Sequence, residues 1–239
     1  MTIADSIKDL LFLHRFAVLF VLLFCVLLIP PYFENSIWVA ELWHGLFTLV
    51  LLWSLYTVAG SRKVLFLAIF LLVPTIGSTW LGGEADSQRH LAYIDNITNI
   101  LYFGLICFFL ARFIFTTRRV TQEVIFAAMC FYMILAVLWA AIYTNLELFY
   151  GNAFVFQGQF AAEAGIDFEN VFRTMIYYSF VTLSTLGYGD VIPDHRVAQN
   201  WAAMEAMIGQ FYIAIVMARL VSIYTVEKEE ESLETAKPQ

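Results

Sequence analysis

Charge is scarce in this chain. Asp, Glu, Lys and Arg together make up 14% of its 239 residues, against roughly 25% in soluble domains, which argues against a soluble enzyme. The net charge of −7 comes partly from the acidic run between Glu227 and Glu234. A basic patch that could hold a nucleic acid is missing. Cysteine is equally sparse. Cys25, Cys107 and Cys130 are odd in number, fall inside apolar runs and match no zinc spacing, so they are expected to be buried thiols. No nucleophile–base set, metal cluster or phosphate loop is present, which makes an enzyme the least supported class and implies no cofactor. The first apolar run follows Lys8 and Arg15 and ends at Pro30-Pro31 without a small-residue cleavage site, so a retained span is expected there rather than a signal peptide.

What the chain does have is hydrophobic length. Sixty-one per cent of its residues are hydrophobic, 23 of them Phe, against about 45–50% apolar in soluble domains. Runs of about 20 apolar residues cross a bilayer core of roughly 30 Å. Six such spans are expected: Leu10 to Ile29, Ile37 to Val58, Val64 to Trp80 with a kink at Pro74, Ile97 to Phe115, Val124 to Thr144, and Asn200 to Tyr224. All read as helices, because hydrocarbon offers no partner for open backbone. The fold class expected is an all-α membrane protein.

Lys and Arg set the orientation. Lys8, Arg15, Arg62, Lys63, Arg112, Arg118, Arg119, Arg219 and Lys228 fall on one side if both termini are cytoplasmic. The other side holds only Arg89, Arg173 and Arg196, among many acids. A multi-pass protein of the cell membrane with both ends inside is the expectation.

Between the fifth and sixth spans the chain becomes apolar again, in "FENVFRTMIYYSFVTLST", Phe168 to Thr185. That is too short to cross and return as two helices. A re-entrant half-helix with an extended return strand fits the length. The return reads "TLGYGD", Thr185 to Asp190. Non-helical backbone at membrane depth survives only where it is buried or lines a wet cavity. Rings of backbone carbonyls can replace the water of a bare cation. Gly187 and Gly189 give positions where positive φ costs little, so the carbonyls of Thr185, Leu186, Gly187 and Tyr188 would face one axis. The Thr185 hydroxyl would add an oxygen plane, while Leu186 and Tyr188 would pack against the half-helix. The carbonyl end of that helix, near Leu183, carries partial negative charge toward the membrane centre. Asp190 would concentrate cations at the mouth. One chain supplies one strand, so a closed ring needs several copies around an axis.

"TLGYGD" resembles the signature of potassium channels, Thr-x-Gly-Tyr-Gly-Asp between a pore helix and the last helix. "YYSFVTLST" is similar to their pore helix, and "MEAMIGQFYIAIVMARLVSIY", Met204 to Tyr224, to the inner helix of prokaryotic members. The resemblance covers about Val124 to Tyr224 and implies a homotetrameric pore in which potassium ions bind at Thr185, Leu186, Gly187 and Tyr188, with Gly189 completing the filter. Leu186 replaces the commoner Val, and Tyr177 and Tyr178 stand where many members have Trp. A hydrogen bond from Tyr177 to Asp190 would substitute for the one a Trp makes.

Three units follow: a four-helix unit over 1–120, a pore unit over 121–225, and a short tail over 226–239. The layout resembles that of voltage-gated channels, but the fourth span carries only Arg112, Arg118 and Arg119, clustered at one end. Gating charge would need basic residues at every third position across the field. Voltage gating through this span is therefore not expected. Glu205, an ionisable group inside the sixth span, is expected to brace the pore helix, and Gly209 to act either as a gating hinge or as a close packing point. Glu41 and His44 share a face of the second span, His195 follows the filter, and the "FVFQGQF" segment suits a cap or a subunit contact. The tail is expected to be a charged helix or disorder. Alternatives are a voltage-gated channel with a degenerate sensor, a pore subunit of a potassium uptake system, and a non-conducting membrane sensor or scaffold. Partners would be potassium ions, lipids and further copies of the chain, not nucleic acid.

Overall fold

The computed structural model describes residues 15–29, 32, 39–58, 62–81, 89–117, 119, 121–158, 160 and 168–235. The expected start of the first span at Leu10, the basic residues Lys8 and Arg118 and the tail beyond Thr235 lie outside them. The helices in chain order are α1 (Arg15–Leu28), α2 (Val39–Val58), α3 (Arg62–Leu81), α4 (Arg89–Thr116), α5 (Gln122–Tyr150), α6 (Phe168–Leu183) and α7 (Arg196–Thr235). Two short strands, β1 (Phe154–Phe156) and β2 (Val191–Pro193), pair antiparallel, with Val155 opposite Ile192.

Among the described residues three segments are long and apolar enough to cross a membrane: Asn96–Thr116, Gln122–Tyr150 and Arg196–Ile223. Shorter apolar stretches occupy Arg15–Leu28 and Val64–Gly77. The protein is thus mostly helical and of membrane type.

Helix α5 is the centre of the molecule. It packs on α4 most extensively and also meets α1, α6 and α7. Its sequence explains this: Ala127, Ala128, Ala136, Ala140 and Ala141 keep its surface low, and each is buried. Its ends are well marked. Thr121 caps the first turn by accepting from Val124 N at 3.4 Å, and Gly151 closes the last turn at φ 73°, its N–H donating to Glu147 O at 2.7 Å. The helix runs two turns past the expected end at Thr144.

Several polar side chains inside the bundle join one helix to another, while the buried amide oxygens of Asn96, Asn99 and Asn145 have no hydrogen-bond partner among the described residues. Tyr102 donates to Leu51 O at 2.6 Å and stands 2.8 Å from Ser54 Oγ, joining α4 to α2. Asn96 Nδ2 donates to Ala141 O at 2.8 Å, joining α4 to α5. Cys107 and Cys130 are buried, whereas Cys25 is partly exposed. Helix α3 passes unbroken through Pro74, whose ring leaves the Phe70 carbonyl without its usual donor. Within α4 the Lys and Arg residues are Arg89, at its first position, and Arg112.

Helix α7 contrasts with α5. It continues through the acidic run to Thr235, well beyond the expected end at Tyr224. Only 12% of its apolar window is covered by the rest of the chain. Past its midpoint Arg219 Nη2 donates to Phe115 O at 2.9 Å and Thr117 O at 3.0 Å. Those carbonyls lie at the C-terminus of α4, where a cation is favoured.

Candidate ion-conduction site

The segment between α5 and α7 folds back on itself. Helix α6 has 16 residues, about 24 Å at 1.5 Å per residue, which is less than a bilayer core. It ends in a Schellman-type cap: Thr185 N donates to Thr182 O at 2.9 Å and Leu186 N to Val181 O at 2.9 Å. The left-handed position of such a cap is usually glycine. Here it is Thr185, at φ 58°, and no other described non-glycine residue has positive φ. A β-branched residue in this region is strained by about 1–3 kcal/mol.

Positive φ recurs at Gly187 (60°) and Gly189 (81°), but not at Leu186 or Tyr188. Alternate residues are therefore left-handed over 185–189. Alternation of this kind turns successive carbonyls toward one side. The stretch belongs to neither β1 nor β2. Leu186 and Tyr188 are 55% and 67% exposed. Part of each side chain is thus covered within the single chain.

The outer end of this stretch is held twice. Tyr177 donates to Asp190 Oδ2 at 2.5 Å, and Gln157 N donates to Asp190 O at 2.8 Å. The second bond extends the β1–β2 pairing by one step. Strand β1 is fixed in turn by Glu147, whose Oε2 accepts from Ala153 N and Phe154 N, both at 2.9 Å. Part of the "FVFQGQF" segment thus pairs with the residues that follow Asp190; residues 159 and 161–167, the rest of the expected cap, lie outside the described residues. His195 stacks on Tyr150 with centroids 3.9 Å apart, and its Nδ1 accepts from Val197 N at 3.3 Å at the start of α7.

The inner end is held by α7. Glu205 is fully buried, receiving Ser179 Oγ and Tyr143 Oη at 2.5 Å each. Its two oxygens join α7 to α6 and α5. Tyr178, the other aromatic of the pair, is buried edge-to-face against Tyr143 at 5.2 Å. One turn beyond Glu205, a Cβ on Gly209 would lie 2.1 Å from Leu183 O. Glycine is required there for contact with the carbonyl end of α6, and α7 is unbroken across it. Gln210 Nε2 then donates to Thr185 Oγ1 at 3.2 Å.

Sequence reasoning had not singled out Gln210, Glu147, Ser179 or Tyr143. A lone Gln in an apolar span is itself a signal, since an amide in hydrocarbon needs a partner. The partners of Glu205 carry no such mark. Glu41 is exposed and His44 partly buried. Among the described residues no group of three His, Cys, Asp or Glu side chains could hold a metal ion.

Comparison with known proteins reaches the same segment. Residues 119–226 match the model of an ion channel family. No curated protein matches the chain. The match covers α5, α6, the irregular stretch and most of α7. It supports ion conduction through a membrane as the work of this part of the chain, rather than catalysis.

Proposed function

We propose that the chain is one subunit of a homotetrameric potassium channel that conducts passively. The observation that carries this reading is the left-handed alternation at Thr185, Gly187 and Gly189, placed at the carbonyl tip of a half-length helix between two long apolar helices. Four such stretches around an axis would present rings of carbonyl oxygen to a dehydrated cation. The Thr185 hydroxyl would form the innermost plane and Asp190 would stand at the mouth. Neighbouring copies would cover the exposed side chains of Leu186 and Tyr188 and much of the uncovered face of α7.

Within this reading the subunit crosses the cell membrane six times, with both termini cytoplasmic and lipids around α1–α4. Voltage gating through α4 is not part of it. With Arg112 as the one Lys or Arg in the apolar part of α4, Asn96–Thr116, little charge would cross the field, where each elementary charge yields about 2.3 kcal/mol per 100 mV. Opening would involve movement of α7 against α6, with Gly209 at the point of contact.

The test is a planar bilayer holding purified protein, with potassium on one side and sodium on the other. A reversal potential at the potassium equilibrium value is expected, with conductance that changes little as voltage is stepped. Equal permeation of both ions would sink the potassium reading. Steep voltage dependence would sink the gating reading alone.

A further inference from the structure

Thr185 presents a puzzle that the filter reading alone leaves open. It occupies the left-handed position of a helix cap, where glycine would relax the backbone. Its hydroxyl does not close a turn with its own backbone; it receives Gln210 Nε2. Gln210 reaches it because Gly209, the preceding residue, lets α7 approach the Leu183 carbonyl more closely than any side chain would allow. Glu205, one turn earlier, sets the same register through Ser179. Three consecutive contacts thus hold one amide beside one strained hydroxyl.

A threonine oxygen has two lone pairs and one proton. An N–H donated from the side occupies one lone pair. Two positions are left for the proton and the other lone pair, and a cation beside one of them sends the proton to the other. We propose that Gln210 orients the innermost cation position: by donating to Thr185 Oγ1 it restricts the directions in which that oxygen can face a dehydrated cation. This rests on the filter reading above. Gln210 is a positioning residue for that oxygen. The strain at Thr185 is explained on the same ground, since glycine would lose the oxygen that Gln210 orients.

The experiment uses the full chain reconstituted in bilayers, with Ba²⁺ applied from the side of the α7 C-terminus. Ba²⁺ is close to K⁺ in size with twice the charge, so its block reports the oxygen set at the inner position. Gln210→Leu is expected to weaken block by about tenfold, the worth of one hydrogen bond, with the potassium-over-sodium reversal potential unchanged. Gln210→Asn, too short to reach Thr185, should behave like Gln210→Leu. In a Thr185→Val background Gln210→Leu should have no further effect on block. Block that is unchanged by Gln210→Leu, or that weakens only together with selectivity, overturns the proposal while leaving the filter reading in place. A wild-type channel that fails to prefer potassium removes the filter reading and this proposal with it.

Discussion

The two halves of the molecule use polar groups differently. In α1 to α4 the interior contacts run mostly from a neutral side chain to a backbone carbonyl, as with Tyr102 to Leu51 and Trp53 to Arg15. From α5 onward carboxylates act as joints. Glu147 holds β1, Asp190 receives Tyr177, and Glu205 receives two hydroxyls from two different helices. A neutral side chain on a single backbone carbonyl gives way at a cost of about 1 kcal/mol. A buried carboxylate shared by two partners does not, since losing either leaves an unpaired group in a dry place. The first half is built as a packed wall. The second is built to hold one stretch of backbone, 185–190, in an unfavourable shape.

That contrast can be broken in order of effect. Gly209→Val should do most, because its side chain would enter the space of the Leu183 carbonyl. Flux in reconstituted vesicles is expected to vanish while the protein still reaches the membrane; normal flux would mean that α7 and α6 are not in contact during conduction. Glu205→Leu comes next. It strands the hydroxyls of Tyr143 and Ser179, each at about 1–3 kcal/mol, and should lower the thermal midpoint in detergent clearly more than Glu205→Gln does. Equal midpoints for the two variants would show that the carboxylate is not a joint.

Tyr177→Phe should have a narrower effect. Asp190 would keep its bond from Val191 N at 3.0 Å and lose the one from α6. Current through a continuously open channel is expected to decline about fivefold faster, for a contact worth about 1 kcal/mol. A rate equal to the wild type would mean that strand pairing alone holds the outer end. The smallest effect belongs to the other half. Tyr102→Phe removes a bond between α2 and α4 and should cost about 1 kcal/mol of stability, with the reversal potential unmoved. A change in selectivity there would erase the distinction between wall and scaffold.

Much of this was legible in residue order. The apolar runs, the glycines at 187 and 189, and the isolated acid at 205 each announce themselves, because composition and spacing carry their meaning. The half-helix could be read from its length. The left-handed Thr185 could not, since a threonine normally signals the opposite conformation. Nor could the bonds from Ser179 and Gln210. Those join residues more than twenty apart in sequence, and only the close approach at Gly209 brings them together. The pairing of β1 with β2 was hidden for a similar reason: three-residue strands show no periodicity, and their register comes from Glu147 and Asp190 rather than from pattern. The helical course of the acidic run, Glu227 to Glu234, was one of two states its composition allowed.

Arg219 ties α7 to two carbonyls at the end of α4 with one guanidinium nitrogen. A contact of that form has no intermediate extent. One nitrogen holds both, so a displacement of about 1 Å parts the two bonds together. It works as a detent rather than a spring: the lower end of α7 would rest in discrete positions, and leaving one would be a sudden event.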